Sequence, residues 1–246
     1  LPNSDIEVGL YARWIKAKMP MAQVAILYQN DDFGRAYLTG MTDALKGSGA
    51  SIVASEAFSL TDPTVDSQIV RLAASKADAL LIGATARQTI QTLKKAAEIG
   101  WKPQIFIAYP AANVERTYKV AGVELAKGAI SSSVFKDPSD PQFAGDNDLK
   151  DYFAFMDQYY PKGDKLDTLN VAAYVEGQVF AEVLRRCGKD LTRKNFLAKA
   201  TTLGDYKAGM LRDAALVRTE PTNYNIFRSM QLLQFDGARN VSIPTP

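Results

Sequence analysis

Short apolar runs alternate with helical-period segments along the first half of the chain. Val24-Ala25-Ile26-Leu27-Tyr28, Ala79-Leu80-Leu81-Ile82-Gly83 and Ile105-Phe106-Ile107-Ala108 are each too short for a helix and carry no alternating polar face. Such runs predict strands buried on both sides. Ser51–Phe58 and Ala129–Phe135 extend the series. Between the runs, apolar residues recur at helical spacing. Leu10, Trp14 and Ala17 mark Ile6–Lys18, and Tyr37, Met41 and Leu45 mark Arg35–Lys46. Val65, Ile69, Leu72 and Ala73 mark a third helix, and Ile90, Leu93 and Ala97 a fourth that stops at Gly100. A shorter helix is predicted over Val114–Ala121. Parallel neighbours need a crossover between them, so strands separated by helices predict a parallel, doubly wound α/β sheet with right-handed connections.

The pattern changes after Phe135. Lys136-Asp137-Pro138-Ser139-Asp140-Pro141 reads as a polar, proline-punctuated link. Two strong helices follow, one carrying Leu149, Tyr152, Phe153, Met156 and Tyr160, the other Leu169, Ala172, Ala173, Phe180, Val183 and Leu184. A weaker one lies near Phe196–Ala200. Gln231-Leu232-Leu233-Gln234-Phe235 predicts a strand running into a turn at Asp236-Gly237. These shifts divide the chain into an α/β domain over residues 1–135, a helical segment over 136–205 and a strand-and-turn segment over 206–246.

Composition narrows the function classes. With 29 basic and 27 acidic side chains the net charge is +2, which provides no long-range field for nucleic acid. No apolar run approaches the length that spans a bilayer, so no membrane insertion is expected. A signal peptide, if the protein has one, lies upstream of Leu1. Histidine is absent, which removes Ser-His-Asp and Cys-His nucleophile systems and the commonest metal ligand. The single Cys187 reads as a small buried residue before a helix-ending Gly188, with a reactive thiol as the alternative. There is no Walker loop and no GxGxxG after the first strand, and Asp31, Asp62 and Asp66 lack the spacing of a metal site. Nothing here forms a catalytic set, so no cofactor or metal is expected and a doubly wound enzyme is the distant alternative.

In an open parallel sheet, ligands bind beyond the carboxyl ends of the strands. That rule selects Gln29–Gly34, Ser59–Thr64, Ala84–Arg87 and Tyr109–Asn113. Asp31 and Asp32 read as turn and N-cap residues rather than an acid–base pair. Phe33 stays open between packing and a ligand-facing role. Arg87 reads as a solvated residue at a helix start, with an anion clamp as the alternative.

The stretch Val24–Gly34 resembles the strand and loop that open the second lobe of the leucine/isoleucine/valine-binding proteins. These are type I periplasmic binding proteins of branched-chain amino acid import systems. The likeness continues through Asp62–Ser75, Ala77-Asp78-Ala79, Ala96–Pro103, Ala121-Gly122, Ala126-Lys127-Gly128 and Ala172-Ala173-Tyr174. It implies the type I periplasmic-binding-protein fold, in which a solute is trapped between two lobes. Residues 1–135 would be the second-lobe ligand-binding domain and 136–205 helices returning to a first lobe that this chain lacks. Residues 206–246 would return toward the lobe interface. By position, Phe33, Thr85 and Ala86, and Tyr109 and Pro110 match ligand-contacting places. The family's tyrosine in the Ala84-Thr85-Ala86 loop and its acidic residue near Tyr109 are missing. Glu220-Pro221-Thr222-Asn223-Tyr224 with Met230-Gln231-Leu232 resembles branches assigned to other ligands, including aromatic acids. The ligand class therefore stays open between an amino acid and an aromatic or other carboxylic acid. The implied partners are that small molecule and the membrane permease of an ABC transporter, in the periplasm. A ligand-sensing receptor domain of the same fold is the alternative.

Overall fold

The computed structural model describes residues 3–213 and 215–246; residues 1, 2 and 214, at the ends or inside the expected segments 1–135 and 206–246, lie outside the described residues. Its strands are β1 (Gln23–Gln29), β2 (Ser51–Phe58), β3 (Ala79–Gly83), β4 (Gln104–Ile107), β5 (Ile130–Ser133), β6 (Gln231–Phe235) and β7 (Asn240–Ser242). Among the described residues they form one seven-stranded sheet in the order β2-β1-β3-β4-β5-β6-β7. The first five run parallel, as the apolar runs predict. The last two do not: β6 pairs antiparallel with β5, and β7 with β6. A short turn joins β6 to β7, and Asp236 closes it by accepting from the N–H groups of Ala238 and Arg239, with Gly237 at φ +106°.

The chain divides into two compact units. One holds Ser4–Ser133 and Gln231–Pro246; Val134–Met230 belong to the other. The expected terminal segment is therefore split, because Gln231–Phe235 completes the sheet whereas residues 206–230 pack with the helical unit.

In the sheet unit, α1 (Ser4–Lys18) and α2 (Asp32–Leu45) cover one face, and α3 (Asp66–Ala74) and α4 (Ala86–Glu98) the other. Strand alternation sorts the side chains. Leu27, Leu80, Ile82 and Ile107 join Ile69, Leu72 and Leu93 in one fully buried cluster. Phe106, one residue out of phase, packs against the rings of Tyr11 and Trp14 with centroids 5.4 and 5.6 Å away. Each large side chain buried this way contributes about 1.5–3 kcal/mol relative to exposure. The buried stripe of α1 differs from the expected Leu10–Trp14–Ala17. It is Val8, Leu10, Tyr11, Ala12 and Ile15, with Glu7, while Ala17 is exposed. Beyond β4, the helix expected over Val114–Ala121 breaks into a π-helical turn (Val114–Tyr118), α5 (Lys119–Ala121) and, after Gly122, α6 (Val123–Ala126).

The helical unit contains α7 (Asn147–Tyr159), α8 (Thr168–Cys187) and α9 (Arg193–Ala200). Asp146, Asp167 and Thr192 cap their N-termini by accepting backbone N–H bonds. The polar, proline-punctuated link over 136–141 is built into this unit. Lys136 is buried, and its ammonium donates to Asp146 and Asp148 at 2.6 and 2.8 Å. Met156 is also buried here, Phe153 and Leu184 are half-buried, and Phe180 is 55% exposed. Cys187 is buried at the end of α8 before Gly188, whose φ is +59°. Among the described residues, no helix is long and apolar enough to cross a membrane.

Candidate functional site

The strand order carries the site geometry. β1 lies beside β3, and β3 beside β4, all three parallel. The residues after their carboxyl ends therefore share one edge of the sheet. Phe33 follows β1, Thr85 and Ala86 follow β3, and Tyr109 and Pro110 follow β4.

Asp31 ends the first of these connections as the N-cap of α2. Its Oδ1 accepts from Gly34 N at 3.0 Å, and its Oδ2 accepts from the Gln29 amide. Gly34 is required by space: a Cβ there would lie 2.1 Å from the Gln29 carbonyl oxygen. Phe33 lies in the first turn of α2 rather than in a loop and is half-buried. Its ring meets Tyr37 edge-on, with centroids 5.2 Å apart at 70°. Thr85 occupies the N-cap position of α4 and is exposed, its hydroxyl 3.2 Å from Gln88 Oε1. Ala86 is the first residue of that helix and is half-buried. Arg87 is exposed, yet its guanidinium donates to the Pro63 carbonyl at 2.9 Å, so it staples α4 to the connection after β2. Tyr109 and Pro110 open a 3₁₀ turn (Tyr109–Ala111), both half-buried.

Beneath this edge sits a group that the sequence reading does not single out. Glu7 of α1 is only 2% exposed. Its Oε1 accepts from Tyr11 Oη at 2.6 Å, from Tyr109 N at 2.7 Å and from Ser132 Oγ at 3.1 Å. Its Oε2 accepts from Tyr37 Oη at 2.5 Å. Burial pushes its pKa from 4.5 up to about 7, although the bonds from Tyr11, Tyr37, Tyr109 and Ser132 each pull it down. Tyr11 and Tyr37 are both held above the usual phenol range, by burial first and by the Glu7 charge second. In sequence Glu7 looks like a solvated acid in a helix's first turn, where the dipole favours it. One signal was present: Leu10 and Tyr11 stand three and four residues on, so Glu7 shares their face.

The edge thus offers aromatic faces, a threonine hydroxyl and helix N-terminal N–H groups, which suit a small polar or aromatic solute. Among the described residues, no group of three or more His, Cys, Asp or Glu side chains is arranged to hold a metal ion.

Comparison with known proteins places this geometry. No curated protein matches the chain. A substrate-binding periplasmic protein from Ralstonia solanacearum is 20% identical, with a TM-score of 0.83 over 97% of this chain and 66% of its own. A branched chain amino acid ABC transporter protein from Thermus thermophilus, solved with bound valine, is 16% identical with a TM-score of 0.83, over 98% of this chain and 64% of its own. An extracellular ligand-binding receptor from Rhodopseudomonas palustris HaA2 is 22% identical with a TM-score of 0.81, over 99% and 68%. At such identities the likeness is one of fold, and the chain spans about two thirds of the length of these structures. The fold is the type I periplasmic-binding-protein fold. A family model adds a sequence-level match over residues 2–239. Because that match runs over nearly the whole chain, the chain belongs to the periplasmic binding protein family, whose members bind small-molecule solutes.

Proposed function

We propose that the chain is the extracytoplasmic solute-binding component of an ABC-type importer, working in the periplasm with a membrane permease. Its solute is an amino acid or an aromatic or other carboxylic acid. Phe33, Thr85, Ala86, Tyr109 and Pro110 form the wall it contacts. The observation that supports this is the adjacency of β1, β3 and β4, which puts all five positions at the carboxyl ends of neighbouring parallel strands. Phe33 and Pro110 provide apolar surface, and Thr85 and the N-termini of α2 and α4 provide donors for a carboxylate.

A thermal-shift panel on the intact protein tests the reading, with L-valine, L-phenylalanine and benzoate as probes. A solute that binds the native state raises the apparent melting temperature in a concentration-dependent way. The expected result is a shift with one probe class that Phe33→Ala diminishes. A shift undiminished by substitutions at all five positions would move the site elsewhere. A sensing role, suggested by the receptor among the structural neighbours, would use the same wall and differ in its partner. Co-purification with a permease separates the two.

A further inference from the structure

Glu7 holds one end of the proposed wall directly and reaches the other through Tyr37. Its Oε1 holds the Tyr109 N–H at 2.7 Å, at the start of the turn that carries Pro110. Its Oε2 holds the Tyr37 hydroxyl at 2.5 Å, and the Tyr37 ring backs Phe33 edge-on at 5.2 Å. Gly83, the last residue of β3, leaves the room that ring needs: a Cβ there would lie 3.1 Å from Tyr37 Cβ. One buried carboxyl therefore joins α1, α2, β5 and the connection after β4. We propose that Glu7 is a positioning residue for solute capture, setting the Tyr109 turn and the Phe33 ring together through one carboxyl. This rests on the solute wall described above.

The geometry also makes Glu7 sensitive to its own proton. The facing groups are Tyr11 on α1, Tyr37 on α2, the Tyr109 N–H, Ser132 on β5 and, through its charge, Tyr118 on the π-helical turn. Among the described residues no lysine or arginine faces it. Tyr11, Tyr37 and Tyr118 are all held above the usual phenol range, so Glu7 is the member of this set that titrates near neutrality. Tyr11 Oη lies 2.6 Å from Glu7 Oε1 and 2.8 Å from the Ile107 carbonyl, with one proton for two acceptors. A proton on Glu7 resolves that conflict: the carboxyl donates to Tyr11, and Tyr11 donates to Ile107. The bond from Tyr109 N is then made to a neutral acid instead of a carboxylate. Charge-assisted bonds are roughly twice as strong as neutral ones. Ionised Glu7 thus grips the Tyr109 turn more firmly.

Two arms test the proposal on the intact protein, comparing wild type with Glu7→Gln, whose amide copies the shape of the protonated acid. In the ligand-free arm, the ¹⁵N–¹H resonance of Tyr109 is followed from pH 5.5 to 8.5. It should titrate with a midpoint near Glu7's in wild type and stay flat in the variant. A wild-type resonance that does not titrate, or one that titrates equally in Glu7→Gln, overturns the proposal. In the binding arm, calorimetry with L-valine and with benzoate follows affinity over the same range. Affinity in wild type should rise about fivefold with pH, in keeping with a charge-assisted bond replacing a neutral one. Glu7→Gln should hold the wild-type acid-limit affinity throughout, and Glu7→Asp should restore part of the pH dependence. Equal pH profiles in wild type and Glu7→Gln overturn the positioning role. If wild type binds neither probe, the solute assignment fails, and the Tyr109 resonance alone decides whether Glu7 holds the turn.

Discussion

The backbone N–H of Tyr109 donates to the Glu7 carboxyl at 2.7 Å across a sequence separation of 102 residues. That bond joins the first helix to the connection after the fourth strand, and it explains why an acid is retained in an apolar helix face. A buried carboxyl is tolerated when its oxygens are satisfied, and Glu7 has four donors.

Stability should fall as pH rises through this group's titration. An acid whose native pKa is raised binds its proton more tightly when folded, so the native state carries more protons between the two pKa values. For Glu7 that window runs from 4.5 to about 7. The stabilisation by protonation is full below the window and gone above it, a loss of about 3 kcal/mol at most. Urea unfolding of wild type and Glu7→Gln at pH 4, 5.5, 7 and 8 isolates the effect from other carboxylates. The difference between the two should shift in the variant's favour with rising pH; a constant difference would show that Glu7 ionises normally.

Phe33→Ala should weaken solute binding while leaving the fold largely intact. The ring is half-buried, and its edge-on contact with Tyr37 is worth about 0.5–1.5 kcal/mol beyond area burial. Paired calorimetry and denaturant titration distinguish the roles. A large loss of stability with unchanged affinity would assign Phe33 to packing.

Gly34→Ala should be far more damaging than its chemistry suggests. The new methyl would meet the Gln29 backbone oxygen at 2.1 Å, and no side-chain rotation relieves a backbone clash. We expect a cost at the upper end of overpacking, about 3 kcal/mol. A thermal midpoint within a degree or two of wild type would mean that the turn after β1 shifts freely.

The helical unit carries exposed apolar surface. Phe155, Tyr159, Leu169 and Phe180 are 42, 66, 46 and 55% exposed. A groove of about 560 Å³ lies between α7 and α8, lined by Phe155, Met156 and Tyr174 among others. Exposed clusters of this kind mark interaction surfaces. Phe180→Asp should cost this 246-residue chain about 0.5–1.5 kcal/mol, the worth of its ring contact with Phe196 at 5.6 Å. In a form extended to the length of the structural relatives it should destabilise more. Calorimetry with the same solute should likewise show weaker binding to this chain than to the extended form. Equal affinities would mean that the wall on the β1, β3 and β4 edge suffices.

Local signals were enough for the sheet and its edge. Val24–Tyr28, Ala79–Gly83 and Ile105–Ala108 are strands because short, wholly apolar runs between helical repeats can be buried only inside a parallel sheet, and they are found there. Once the strands were known, the strand-end rule pointed to Gln29–Gly34, Ser59–Thr64, Ala84–Arg87 and Tyr109–Asn113; the family resemblance singled out Phe33, Thr85, Ala86, Tyr109 and Pro110 there, and capping preference gave Asp31. What a single helix presents inward was less legible. The spacing of Leu10, Trp14 and Ala17 caught only part of the stripe: Leu10 is buried and Trp14 meets Phe106, but α1 also buries Tyr11 and Ile15 and leaves Ala17 exposed.

The sequence by itself determined the order of strands and helices, the ends of several helices and the loops that line the carboxyl edge, since each depends on residues near one another in the chain. Only the tertiary structure decided the fate of Lys136, the splitting of residues 206–246 between the two units and the role of Glu7. Those outcomes depend on partners ten or more residues away in some cases and more than a hundred in others. A carboxyl's charge state follows from how completely folding removes water from it and which donors arrive in its place, and neither is written in the residues beside it.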